Sequence, residues 1–242
     1  MDGLLVDSEP VWRQVEVEVF GRHGVPLTLE QCLETKGMFL GEAVEHWYVR
    51  HPWEGASRDD VAHEIVEAMA VRLADDVELK PGVWHALDFC GRRGVPLALA
   101  SSSPRRLIEV AVRRAGMAAR FAVVHSAEDE AAGKPDPAIF LTTARLLGVD
   151  PAACVVFEDS PAGVVAAKAA GMVCVVVPEG DALSAPGPGA PGPHGAFTRA
   201  DVVLGSLEDL DDAVWAACAD ATSAARADAT GTGVAGGATP AG

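Results

Sequence analysis

The sequence predicts an α/β fold, a doubly wound parallel sheet with helices on both faces, and three observations predict it. Four continuous apolar runs, Val95–Ala100, Phe121–Val124, Cys154–Phe157 and Val173–Val177, are followed by a shorter one at Val202–Leu204. Helical segments separate most of them, at Pro104–Ala115, Pro137–Leu147 and Ala162–Ala170. The runs are apolar throughout rather than alternating, as strands buried on both faces of a parallel sheet are.

At the start of the chain, Asp2-Gly3 is a turn signal, and Leu4, Leu5 and Val6 come after it. Ser8 is a candidate N-cap, with Glu9 and Pro10 in the first helical turn. Val11, Val15 and Val19 recur at four-residue spacing, and Gly24 can end that helix. Thr28 and Gln31 resemble a capping box for a second helix, Gly41–Arg50 is a third, and Ser57 starts a fourth carrying Val61, Ile65, Met69 and Leu73. This makes a small helical unit ahead of Pro81-Gly82. A helix through Trp84, Leu87 and Phe89 ends at Gly94, and the first apolar run begins there. The Pro-, Gly- and Ala-rich stretch 180–195 is expected to be a loop, and Leu207–Ala219 a final helix. Beyond it the chain is Ala, Gly, Thr and Ser, which offers too little burial to offset its ordering entropy.

Composition excludes several classes of function. The chain has 242 residues, 49% hydrophobic and 22% charged, enough for one sizeable core and a smaller second unit. No apolar run approaches the ~18–20 residues of a membrane span, so no membrane partner is expected. A net charge of -16 argues against nucleic acid, where binding rests on cations at phosphates. A single small anion remains compatible with it, because a few local cations suffice. Five cysteines form no C-x-x-C pair and no zinc spacing, and read as reduced core residues of a cytoplasmic protein.

Ligands of doubly wound sheets bind off the carboxyl ends of the strands. After the first run come Ser101-Ser102-Ser103-Pro104, and after the second Gly133-Lys134-Pro135-Asp136-Pro137. After the third come Glu158-Asp159-Ser160-Pro161-Ala162-Gly163. One sheet edge thus gathers hydroxyls, a lysine and two carboxylates. Hydroxyls and helix N-termini hold phosphate oxygens, lysine balances their charge, and carboxylates hold a hard divalent cation. Singly, each has a plainer reading: a helix cap, a solvated loop charge, a strand end. In this order, each after a strand, they point to phosphoryl transfer. There is no G-x-x-x-x-G-K-[ST], and Lys134 precedes the acidic pair, unlike the order in phosphoacceptor receiver domains.

With these segments in view, the chain resembles the haloacid dehalogenase superfamily of aspartate-nucleophile phosphatases over roughly residues 1–216. Met1–Glu9 looks like the end of its first motif, D-x-D-G and apolar residues before D-S-E. Leu97–Ser103, Gly133–Pro137 and Phe157–Gly163 look like the second, third and fourth. Trp47–Trp53 is similar to the beta-phosphoglucomutase and sugar-phosphate phosphatase branch, nearest to hexitol and 2-deoxyglucose-6-phosphate phosphatases. The resemblance implies a Rossmann-like core with an inserted helical cap. Residues 1–8 would be a remnant of the first core motif, 9–79 the cap, 80–218 the core and 219–242 a disordered tail.

It also implies Mg²⁺-dependent hydrolysis of a small phosphate monoester, a sugar phosphate, through an aspartyl-phosphate. Asp2 would be the general acid/base and give its backbone carbonyl to the metal, with Asp159 a side-chain ligand and Glu158 in support. Ser101, Ser102 and Lys134 would hold the phosphoryl group, and Lys36 of the cap would meet the substrate. The cap aromatics Trp47, Tyr48 and Trp53 would line a sugar pocket or form cap core. Mutases of this branch place an arginine three residues past the cap glycine, where this chain has Leu40; that favours hydrolysis over a beta-phosphoglucomutase-type reaction. A non-catalytic phosphate-binding protein is the third possibility. On this alignment Met1 is the x of D-x-D. The expectation is that Met1 is an internal residue, preceded by an apolar strand ending in the nucleophilic aspartate. The alternative is a truncated, inactive chain. A cytoplasmic monomer is expected.

Overall fold

The structure, a computed structural model, describes residues 1–35, 38–76, 78–178 and 193–231. Helices α1 (Glu9–Arg22), α2 (Leu40–Arg50) and α3 (Arg58–Asp75) come first. Then come α4 (Val83–Arg92), β1 (Ala98–Ser101), α5 (Arg105–Arg114), β2 (Val123–Ser126), α6 (Ala138–Leu147), β3 (Val155–Glu158), α7 (Pro161–Ala169) and β4 (Val173–Val176). The short helix α8 (Pro193–Phe197), β5 (Val202–Val203) and α9 (Asp212–Gly231) complete the order.

The helical unit α1–α3 is built as its periodicity requires. Val15, Val19 and Phe20 of α1 meet Val61, Ile65, Met69 and Leu73 of α3, all fully buried. The Ser57 hydroxyl accepts from Asp60 N–H, and Asp60 answers at Ser57 N–H, a capping box that starts α3. Thr28 and Gln31 exchange the same pair of bonds, but they open a single 3₁₀ turn, Gln31–Thr35, rather than a full helix. The unit leaves and rejoins the core through one narrow neck. There Val6 bridges Leu79 in antiparallel fashion, and Asp7 N–H donates to Glu78 O while Lys80 N–H donates to Leu5 O.

The expected strands form, all parallel, and the fold is α/β. They lie in two sheets rather than one. β1 pairs with β2, from Ala98↔Val123 to Ser101↔Ser126. β3 pairs with β4, from Val155↔Val173 to Glu158↔Val176, and β4 with β5. Between the two sheets lies a cavity of about 430 Å³. Consecutive residues of both neighbouring strands, Leu97–Ala100 and Val155–Asp159, line it, so β1 and β3 turn their edges toward it, with Met1 and Leu5 at the wall.

Two more expectations change. Ser8 does not cap α1; its hydroxyl is drawn to Asp2 instead. The final helix starts later than Leu207, which opens a 3₁₀ turn, and α9 continues through Gly231. Helix α9 thus runs as far as Gly231 into the segment from residue 219 that composition marks as a disordered tail. Alanine has the highest helix propensity of any residue, so an Ala-rich segment extends a helix that packing has already started. Of the 180–195 loop, residues 193–195 belong to α8; the rest, like 232–242, lie outside the described residues.

Candidate active site

The site forms where the carboxyl ends of β1 and β3 meet the Asp2-Gly3 turn. Ser101, the last residue of β1, is buried, and its hydroxyl accepts from Ser103 N–H at 3.2 Å. That bond folds the Ser101–Ser103 turn. It does not cap α5, which begins after Pro104 with no side-chain cap. Ser102 is half-buried on the same turn. The turn is pinned from β2, where the Ser126 hydroxyl donates to Ser103 O at 2.8 Å.

Asp2 stands at the centre of three donors. The Ser8 hydroxyl and Trp12 Nε1, the latter at 3.4 Å, donate to Asp2 Oδ1, and the Ser103 hydroxyl donates to Oδ2. Gly3 is required here for two reasons. Its φ of +72° lies in the left-handed region, and a side chain on it would overlap the Asp159 carboxylate. Asp159 therefore packs directly on the Asp2-Gly3 backbone.

Lys134 and Glu158 form a buried ion pair, their side chains only 11% and 5% exposed. Lys134 Nζ also sits over the Phe140 ring, 4.8 Å from its centroid. The second Glu158 oxygen accepts from the Ser160 hydroxyl at 3.1 Å, and Ser160 in turn caps α7 by accepting from Gly163 N–H. A side chain at Gly163 would collide with the Glu158 carboxylate, which explains a glycine in the first turn of α7. Burial would push Glu158 up, but the Lys134 charge and the hydrogen bonds outweigh it and hold the carboxyl below the usual range. Asp159 behaves oppositely: burial and the neighbouring Glu158 charge push it up to about 7. Two adjacent carboxylates, Glu158 buried and Asp159 half-buried, thus share one lysine, and Asp159 is the one left short of positive charge.

Among the described residues, then, contacts link Asp2 to Ser103 of the Ser101–Ser103 turn, Gly3 to Asp159, and Glu158 to Lys134. Lys36 lies outside the described residues. Trp47 and Trp53 are buried in the core of the helical unit, with Tyr48 edge-on to Trp53 at 4.8 Å, so these aromatics are core. Sequence reasoning missed Ser103, Trp12 and the bond that Ser8 makes to Asp2. One signal was available: Ser8 and Trp12 are four residues apart and share a helix face.

Parallel strands with this chemistry at their carboxyl ends, covered by a helical unit inserted after the first turn, define a hydrolase of the haloacid dehalogenase-like class. The family model of haloacid dehalogenase-like hydrolases matches residues 1–171, and the chain belongs to this family. Among its relatives, hexitol phosphatase B of Escherichia coli K12 is 38% identical over 212 residues, 87% of this chain and 91% of that protein. Fructose-1-phosphate phosphatase YqaB of the same organism is 32% identical over 182 residues, 73% and 93%. The crystal structure of CbbY from Rhodobacter sphaeroides in complex with phosphate is similar with a TM-score of 0.75 and 27% identity, covering 87% and 93%.

Proposed function

We propose that this protein is a phosphatase that hydrolyses small phosphate monoesters of the sugar or sugar-alcohol class. One observation carries the reading: the Asp2 carboxyl takes three donors, among them Ser103 of the Ser101 turn, while Asp159 packs on Gly3 and its neighbour Glu158 pairs with Lys134. The phosphatase names of its relatives support the substrate class.

Mg²⁺ fits the donor set. Among the described residues no three His, Cys, Asp or Glu side chains converge as a metal cage. Mg²⁺ does not need one, since it retains waters and takes one or two carboxylates. Asp159, half-buried and short of positive charge, and the Asp2 backbone carbonyl would hold it. Glu158, committed to Lys134 and Ser160, would support from behind. When bound, the metal would neutralise charge on the phosphoryl oxygens.

The remaining steps belong to side chains. Ser101, Ser102 and Lys134 would bind the phosphoryl oxygens. A carboxylate attacks phosphorus, the bond to the leaving oxygen breaks, and Asp2 gives that oxygen its proton. Asp2, now ionised, takes a proton from the water that attacks the acyl-phosphate, releasing phosphate and restoring both carboxyl groups. The same reading makes the protein a cytoplasmic monomer, and its five free thiols support a reducing compartment.

The test is a panel of sugar and sugar-alcohol phosphates, read by inorganic phosphate release with Mg²⁺ and with a chelator. Metal-dependent release from several members is expected. Phosphate conserved in an isomerised product would make it a mutase, and no turnover at any Mg²⁺ concentration would make it a binding protein.

A further inference from the structure

Gly133, immediately before Lys134, is a glycine for an unusual reason. It is not among the positive-φ glycines, so its backbone conformation is open to any residue. A side chain there would instead run into the ring of Phe39. Phe39 belongs to the helical cap. It directly precedes α2, and its carbonyl accepts from Ala43 N–H in the first turn at 2.9 Å. Yet its ring packs on the core, against the cluster that contains Ala127, Ile139 and Phe140. Phe140 is the ring beneath the Lys134 ammonium. The cap also touches the core along α3 and α5, where Glu67 pairs with Arg106 and Asp75 O accepts from Arg114. That flank also buries apolar residues, Ile65, Met69 and Leu73 of α3 with Leu107, Ile108 and Ala111 of α5. The Phe39 contact falls instead on the loop that carries Lys134.

We propose that Phe39 is a positioning residue: seated on the bare Gly133 backbone, it registers the cap on the Lys134 loop and holds that loop in place for the substrate. The second half of this statement rests on the phosphatase reading above; the first does not. Glycine at 133 is the receptor because nothing larger admits the ring. Interiors are close-packed, so a methyl group there must displace Phe39 rather than be absorbed.

The test is a double-mutant cycle of Gly133→Ala and Phe39→Ala in the full chain, with Phe39→Leu as the conservative variant. Two readouts are used: amide hydrogen exchange over residues 127–136, and kcat and KM for a sugar phosphate. Each Ala variant is expected to speed exchange in that segment by about tenfold or more, as loss of a local packing contact does. Each is expected to lower kcat/KM by roughly 10- to 100-fold, the scale of a misplacement of about 1 Å. The double variant is expected to be no worse than either single one, and Phe39→Leu to stay near the parent. Additive effects, or a Phe39→Ala variant with unchanged exchange, would overturn the proposal. Coupled exchange in a protein that turns over no sugar phosphate would uphold the contact and overturn the phosphatase reading instead.

Discussion

Replacing Glu16 by Gln should abolish a specific pH dependence of stability. Glu16 lies in α1, 8% exposed, between Val15 and the Cys32 turn. Its Oε2 has no hydrogen-bond partner. Burial is the main reason its carboxyl is pushed up to about 7 from the ordinary 4.5; the Cys32 thiol opposes this and the Glu9 charge adds to it. The sign comes from proton binding. Between pH 4.5 and about 7 the folded protein holds a proton at Glu16 that the unfolded chain has released. The folded state is therefore favoured at acid pH, and this contribution is lost as pH rises through that window. At about 1.4 kcal/mol per pH unit, the loss amounts to roughly 3 kcal/mol by pH 8. The assay is urea denaturation of parent and Glu16→Gln at half-unit steps from pH 5 to 8. The variant should gain on the parent by that amount as pH rises. Parallel curves would refute the reasoning, because every other carboxyl is common to both proteins and cancels in the difference.

The remaining predictions concern the site and the core. Lys134→Ala leaves Glu158 buried without its partner and should cost about 3–5 kcal/mol in denaturation experiments; Lys134→Ala/Glu158→Gln should recover part of it. Ser8→Ala and Ser103→Ala free the Asp2 carboxyl. Each should lower kcat about tenfold for alkyl leaving groups, which need protonation, and less for p-nitrophenyl phosphate, which does not. Burial raises all five thiols, so a thiol reagent should react slowly with native protein and fast after denaturation, the half-exposed Cys154 leading.

The sequence makes the strand-end chemistry legible for a physical reason. Ser101, Lys134 and Glu158-Asp159 each come after an apolar run, and a parallel sheet delivers the carboxyl ends of all its strands to one edge. The capping box at Ser57 is equally plain, because both of its hydrogen bonds are local. Contacts that depend on how the chain returns are not legible. Ser8 stands where an N-cap belongs, but Asp2 lies across the turn and outcompetes the helix for its hydroxyl. Ser103 reaches Asp2 across about a hundred residues of chain, and no periodicity encodes that. Trp47 and Trp53 are open to either reading in the sequence, since cap core and sugar pocket use the same residue types. The split between the β1–β2 and β3–β4–β5 sheets is not visible in the strand pattern at all, because the pattern does not say which strands pair.

Catalysis on this view requires Asp2 and Lys134 at the carboxyl ends of the parallel strands. The most direct measurement compares phosphate release from hexitol and sugar phosphates, with Mg²⁺, by the parent protein and by Asp2→Asn. Metal-dependent release by the parent, lowered about 100-fold or more in Asp2→Asn, is the predicted result. Release by Asp2→Asn at the parent rate would contradict it.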